Sequence, residues 1–220
     1  MAVINVNPTR MELTRLKKQL VTAVRGHKLL KDKRDELMRQ FLETVRETKT
    51  LRENFEKKIT SLNSDFGNAF GMMDETVTDT ALLMPKQEVY LKVNTRNIMS
   101  VDIPDFEIST RTSDKSDIFP YGFATTAFEL DDAIEGITDI LPTMLTLAEK
   151  EKAVKLMADE IEKTRRRVNA LEHVLIPRYK ETIRFISMKL EENDRSSRAR
   201  LMKVKDMMIK QNIEAKQQNG

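Results

Sequence analysis

The sequence predicts a mainly α-helical fold built on a long antiparallel coiled coil of two helices, one from each end of the chain. A small central insertion holds a β-hairpin and a short helix. Charged residues make up 33% of the 220 residues and aromatic residues 5%, with six glycines, which is typical of long helices and coiled coils. Both ends also carry apolar residues in alternating steps of three and four. We therefore expect a single elongated domain over residues 1–220.

The N-terminal coiled-coil helix is predicted over residues 9–66. Thr9 can act as its N-cap, and Glu12 three residues later completes a capping box. The apolar steps that follow predict a seam facing a partner helix, whose few polar members, such as His27, weaken it but can fix the register. The seam residues expected on this helix are Leu13, Leu16, Leu20, Leu30, Leu37, Phe41, Leu51 and Phe55.

Residues 67–123 are predicted as a central insertion, because Gly67, Gly71 and Pro85 interrupt the helical pattern. Alternation over about 86–108 predicts a β-hairpin, which must lean on a helix or a partner since a lone hairpin is marginal in water. We expect it to be an appendage near the acidic part of the chain. The stretch from Ile98 to Ile103 can pair with the strand before it, or instead with residues 106–108 beyond Pro104. The hairpin residues are Val89, Tyr90, Leu91, Val93, Ile98, Val101 and Ile103.

Residues 124–215 are predicted to form a short helix, interrupted at Pro142, and then a long C-terminal coiled-coil helix. Pro177 falls inside that long pattern, and a proline within a helix costs about 3 kcal/mol. A helix that continues past it must be held by packing against the N-terminal helix. A step of four beside Pro177 predicts a stutter that locally unwinds the supercoil. The seam residues expected here are Val168, Leu171, Leu175, Ile186, Leu190, Leu201 and Val204.

Charge is distributed unevenly along the chain. Residues 1–34 carry nine Lys or Arg and two acids, residues 71–147 five and fourteen, and residues 195–220 seven and two. Antiparallel pairing would join the two basic ends at one tip. This requires the numbers of opposed residues to add to about 210–225, a sum that we estimate from the lengths of the two helices. Different partners at the two ends would follow, although any single charge can simply solvate a helix face. The tip residues are Arg10, Arg15, Lys17, Lys18, Arg198, Arg200, Lys203 and Lys205.

The sequence carries no pattern typical of an active site, so we expect no catalytic, cofactor-binding or metal-binding residues and no enzyme activity. The stretch from Gly67 to Gly71 lacks the Gly-Lys-Ser/Thr ending of a phosphate loop. His27 and His173 have no ligand-like neighbours, and cysteine is absent, which excludes thiolate chemistry. Neither a secretory signal nor an apolar run of about 18 residues is present.

Three blocks of sequence resemble the D subunit of the V-type (archaeal and bacterial A/V-type) rotary ATPases. The most specific block runs Arg166-Arg167-Val168-Asn169-Ala170-Leu171-Glu172 with Ile176-Pro177. The N-terminal block holds Pro8-Thr9-Arg10 and Leu29-Leu30-Lys31-Asp32-Lys33-Arg34-Asp35. The third holds Leu190-Glu191-Glu192, Arg200-Leu201 and Lys203-Val204-Lys205, while Asn193-Asp194-Arg195 and Met202 depart from the more charged run of the family.

This resemblance implies a non-catalytic central-stalk rotor that transmits torque between ATP hydrolysis or synthesis and transport of H⁺ or Na⁺. The implied partners are a catalytic hexamer of A and B subunits, which the basic tip would face, the small F subunit of the rotor, and a socket subunit (C/d) above the membrane ring. The implied location is the cytoplasmic side of the membrane, peripheral and without a span. Two alternatives are a coiled-coil adaptor or chaperone and a nucleic-acid binder using the basic tip, although no nucleic-acid-binding motif supports the latter.

Overall fold

The computed structural model describes residues 6–112, 114, 117–122 and 126–218, with backbone alone over 211–218. Its elements in chain order are α1 (Arg10–Met72), α2 (Glu75–Leu82), β1 (Val89–Ile98), β2 (Val101–Thr110), α3 (Phe128–Ala170), a π-helical turn (Leu171–Leu175) and α4 (Ile176–Gln218). The predicted fold class, long paired terminal helices with a small antiparallel sheet in the middle, is confirmed. The chain forms two compact units, one of residues up to 32 with residues from 164 onward, the other of residues 33–163.

In the first unit, the start of α1 pairs antiparallel with the end of α3 and with α4. The Glu12 amide donates a hydrogen bond to Thr9 Oγ1 at 3.2 Å, as the predicted N-cap requires. Leu16, Val168 and Ile186 are buried between the helices. Burial of such side chains contributes about 1.5–3 kcal/mol each, which is ample to hold two amphipathic helices together along this seam.

The π-helical turn adapts the seam to Pro177. Proline lacks an amide hydrogen and its ring crowds the carbonyl four residues earlier. Directly before it, the Ile176 amide donates to the Leu171 carbonyl, five residues back, and such a turn holds one extra residue. Beyond the turn the buried face of α4 includes Thr182 and Ile186, four residues apart.

In the second unit, two apolar clusters tie the remaining elements together. One is formed by Leu37 of α1, Val101 of β2, and Ala153, Met157 and Ile161 of α3. The other joins α1, α2 and α3 through Ala69, Ala81 and Leu130. Because Ala69 is fully buried there, α1 continues through Gly67 and Gly71 to Met72, six residues beyond the end that its sequence pattern suggested.

Pro142 lies inside α3 and does not end the helix. The expectation that it interrupts the helix is therefore wrong. Ile140 and Leu147 are buried on either side of it, and this packing offsets the cost of about 3 kcal/mol that an internal proline carries. The predicted short helix and the segment that follows it are consequently one element of 43 residues.

The two strands form a hairpin with a two-residue turn. Ile98 pairs with Val101 across Met99 and Ser100, whose φ angles of 49° and 70° lie in the left-handed region. Two such residues in succession form a type I′ turn, whose twist matches that of the strands. Asn97 Oδ1 accepts a hydrogen bond from the Ser100 amide at 3.1 Å, which stabilises a turn that contains neither glycine nor asparagine. Pro104 lies within β2, opposite Thr95.

Candidate interaction surfaces

Side-chain pairs fix the helix register within each unit. In the first unit Arg10 Nη2 lies 3.1 Å from Asp194 Oδ2, and His27 Nε2 lies 3.3 Å from Glu172 Oε2. In the second unit Lys150 Nζ lies 3.1 Å from Glu47 Oε2. The numbers of these opposed residues add to about 200, so the register that we expected from helix lengths alone is wrong.

Because α1 begins at Arg10, opposite Asp194, the rest of α4 has no opposing helix among the described residues. Leu201 and Val204, predicted as seam residues, are 68% and 42% exposed. The expectation that Leu201 and Val204 are buried within this chain is therefore wrong. Leu175, in the π-helical turn, is also partly exposed, while the other predicted seam positions are buried or half-buried. The free part of α4 with described side chains, residues 195–210, extends about 24 Å and presents an apolar stripe.

The basic tip residues lie on two different levels of the first unit. Arg10, Arg15, Lys17 and Lys18 are on the paired part of α1, whereas Arg198, Arg200, Lys203 and Lys205 are on the free part of α4, and all eight are exposed. Arg15 pairs with Glu12 one turn earlier. The tip therefore presents solvent-exposed charges, each worth at most about 1 kcal/mol in an ion pair. Its role as the hexamer-facing end stays a prediction.

The hairpin lies along α1 and α3, so the expectation of an appendage is wrong. Val101 is buried against both helices and Ile103 packs on the same cluster. The Phe106 amide donates to Glu149 Oε2 of α3 at 3.3 Å. Ile98 is half-buried as well, whereas Tyr90, Leu91 and Val93 stay exposed, as does most of β1. The hairpin thus has one docked edge and one accessible side.

An ion-pair clamp closes the root of the hairpin. Lys86 Nζ lies 2.6 Å from Asp117 Oδ1, and Arg111 Nη2 lies 3.0 Å from Asp117 Oδ2. The hydrogen bond from Lys86 is the main reason that the pKa of Asp117 lies below its ordinary value, with a further contribution from Arg111 and an opposing one from burial. Asp117 therefore stays ionised at neutral pH and holds both ends of the hairpin.

A second polar contact joins the loop after the hairpin to α3. Tyr121 Oη donates to Asp131 Oδ1 at 2.7 Å. Burial of the phenol, and next this hydrogen bond, raise the pKa of Tyr121 above its ordinary value. The phenol is thus a permanent donor at neutral pH and acts as a structural contact beside the cluster of Ala69, Ala81 and Leu130.

Metal-ligand clusters and membrane-spanning helices are both lacking among the described residues. Within them, no three His, Cys, Asp or Glu side chains come together as metal ligands. His27 is engaged with Glu172. No helix in the described part of the chain combines the length and hydropathy needed to cross a bilayer. Three exposed regions are candidates for contact with other proteins: the free part of α4, the basic tip and the exposed side of the hairpin.

Sequence reasoning missed three features of these surfaces. The contact of Glu149 with the β2 backbone and the clamp around Asp117 join residues far apart in sequence, so no local pattern reports them. The free part of α4 depends on register. Pro104 could have indicated from the sequence that β2 has a protected outer edge. A proline inside a strand is confined to an edge position where no ladder hydrogen bond is needed.

Comparison with known proteins identifies the family. The chain matches the family of the ATP synthase D subunit over residues 12–206. It is 58% identical to the D subunit of the V-type ATP synthase of Clostridioides difficile (strain 630), over 100% of this chain and 98% of that protein. It is also 58% identical to the protein of the same name from Acetivibrio thermocellus, over 96% and 95% of the two chains. The chain therefore belongs to the family of ATP synthase D subunits, as the resemblance of its three sequence blocks implied.

Proposed function

We propose that this chain is the central-stalk rotor component of a V-type ATPase or ATP synthase. The relatives are named as a component of V-type ATP synthase, which supports membership of that complex. The observation that carries the rotor role is the free part of α4, a basic helix with an exposed apolar stripe beyond the paired seam. A rotor must enter a ring of subunits at one end and needs no active site of its own.

Torque would pass through the paired helices. In the first unit the buried Leu16, Val168 and Ile186 couple α1 to α4, and in the second unit the cluster around Met157 couples α1, α3 and the hairpin. Close-packed interiors deform little, so they transmit strain. The proposed partners are the catalytic hexamer of A and B subunits at the basic tip, the small F subunit of the rotor, and the socket subunit (C/d) above the membrane ring.

Charge at the tip suits sliding contact. Ion pairs that the exposed basic residues from Arg198 to Lys205 would form with the hexamer would cost about 0–1 kcal/mol to break, whereas breaking a buried pair costs about 3–5 kcal/mol. A helix that turns past equivalent interfaces needs contacts that exchange readily. The complex would lie at the cytoplasmic face of its membrane, with this chain as a peripheral, non-catalytic component.

Co-purification tests the proposal. The chain carrying an affinity tag is expressed in its native cell and isolated under mild conditions. We expect a nucleotide-hydrolysing hexamer and a small partner to elute with it, while the chain freed of them releases no phosphate from ATP. Isolation of the chain alone, or with nucleic acid or a chaperone client in place of the hexamer, would favour one of the alternative functions.

A further inference from the structure

The hairpin geometry determines which backbone amides point away from the partner strand. Ile98 and Val101 flank a two-residue turn and form a hydrogen-bonded pair. Such pairs alternate with pairs whose N–H and C=O groups point outward. At the other end of the hairpin the Arg111 amide donates to the Glu88 carbonyl at 2.9 Å. This hydrogen-bonded pair falls where the alternation that starts at Ile98 and Val101 requires one. The outward-pointing amides are therefore those of residues 89, 91, 93, 95 and 97 in β1 and 102, 106, 108 and 110 in β2.

The outer edge of β2 is protected. Position 104 is an outward one, and proline there has no N–H to leave unpaired. The next outward amide, that of Phe106, is bound by Glu149 of α3 at 3.3 Å. A covering helix and an edge proline are two of the ways in which proteins block pairing with further strands.

The outer edge of β1 has neither kind of protection. It contains no proline, and among the described residues no side chain is bonded to its outward amides. The residues with outward amides are apolar or neutral, and Leu91 and Val93 are 41% and 57% exposed. Lys92 and Arg96 lie at the alternate positions, and Lys92 pairs with Glu107 of β2 at 2.9 Å. An accessible edge with apolar side chains is a template for a further strand.

A groove lies where the turn end of the hairpin meets α1 and α3. It has a volume of about 410 Å³ and is lined by Arg96 and Asn97 of the hairpin, by Gln40, Glu43 and Glu47 of α1, and by residues of α3. Gln40 Oε1 is buried and accepts no hydrogen bond from any described residue, although buried acceptors are normally satisfied. Four carboxylates and two basic side chains line the groove, which is therefore acidic overall, although Lys150 is paired with Glu47 at 3.1 Å.

We propose that the outer edge of β1 binds an extended segment of another protein of the complex by strand addition, an inference that rests on the proposed function. The segment adds a third strand through the outward groups of residues 91, 93 and 95. Its apolar side chains pack beside Leu91 and Val93. A Lys or Arg at its end enters the acidic groove and donates to Gln40 Oε1. A second copy of this chain fits less well, because antiparallel pairing of β1 with itself brings Lys92 and Arg96 close to their like-charged copies.

Residue-resolved hydrogen–deuterium exchange tests the inference. The chain is compared alone and within the assembled ATPase complex, purified through a tag on one of the catalytic chains. In the free chain the outward amides of Leu91, Val93 and Thr95 should exchange rapidly, while the inward amides of Lys92 and Asn94 are protected. In the complex the outward amides should slow by about ten-fold or more.

A proline variant separates edge pairing from general burial. Val93→Pro removes one outward N–H and leaves the inward ladder intact, as Pro104 does in β2, and Val93→Ala is the matched control that keeps the N–H. We expect Leu91 and Thr95 to lose their protection in the assembled complex with Val93→Pro and to keep it with Val93→Ala. Protection of the inward Asn94 amide reports whether the hairpin of the variant is still folded. If the hairpin is unfolded, the comparison of the free and assembled wild-type chain decides the question by itself.

Equal exchange of the outward amides in the free and assembled states would overturn the inference while leaving the proposed function intact. Protection already present in a free chain that is dimeric by light scattering would assign the edge to self-association and overturn it as well. Failure of the chain to assemble with the hexamer at all would instead overturn the proposed function, and the inference with it.

Discussion

Truncation of Val101 tests whether the hairpin is part of the paired-helix core of the second unit. Val101 is 6% exposed and packs with Leu37 and Met157. Val101→Ala removes two methyl groups, worth about 0.8 kcal/mol each, and the residual cavity raises the cost to about 2 kcal/mol. The matched control is Val93→Ala in the same hairpin, which starts 57% exposed and should change the free energy of unfolding by less than about 0.5 kcal/mol.

Urea denaturation followed by far-ultraviolet circular dichroism measures this difference. The signal at 222 nm is an indicator of helix, and a hairpin contributes little to it. A lower midpoint for Val101→Ala than for Val93→Ala therefore means that loss of a strand side chain destabilises the helices. Equal midpoints for the two variants would refute the packing argument and would restore the view of the hairpin as an appendage.

Three further results are expected. Leu16→Asp should destabilise the free chain by about 3 kcal/mol or more, because it places an unpaired charge in a buried site. Leu201→Asp should leave the thermal unfolding of the chain unchanged, and calorimetry compares the two variants. Since the pKa of Asp117 is lowered in the fold, its stabilising effect is present above the ordinary carboxyl value of about 3.9 and is lost as pH falls through the lowered one. The Arg111 amide, which donates to the Glu88 carbonyl at the root of the hairpin, should therefore keep its protection against exchange from pH 7 to about 5, and Asp117→Asn should lower that protection throughout. In the assembled complex, Lys203→Ala should slow ATP-driven rotation little, and a complete stop would show that torque passes through that one charge.

The sequence was sufficient to predict the paired helices, because a seam in steps of three and four reports directly which face of a helix is buried. Thr9 as a cap and the hairpin at about residues 86–108 follow from equally local signals. The register of the two helices could not be predicted in this way, because helix lengths leave the relative shift of two helices open. The contacts of Arg10 with Asp194 and of Lys150 with Glu47 determine it, and these are tertiary interactions.

Helix ends and the hairpin turn were hard to predict for the same reason. Pro142 and Gly67 favour a break locally, but burial of Ile140, Leu147 and Ala69 outweighs that preference. The turn at Met99 and Ser100 lacks the Asn-Gly or Asp-Gly signal of a type I′ turn. The role of Glu149 in covering β2 depends on the position of α3 beside the strand. Each of these features arises from contacts between residues distant in sequence.

Rotation of this chain inside the catalytic hexamer is the most direct test of the central claim. The chain contains no cysteine, so Asp79→Cys at an exposed position of α2 provides a single attachment point for a bead. The hexamer is fixed to a surface and supplied with ATP while the bead is followed by microscopy. We expect continuous rotation in one direction that stops when ATP is withdrawn. Steady ATP hydrolysis by the same complexes with a stationary bead would contradict it.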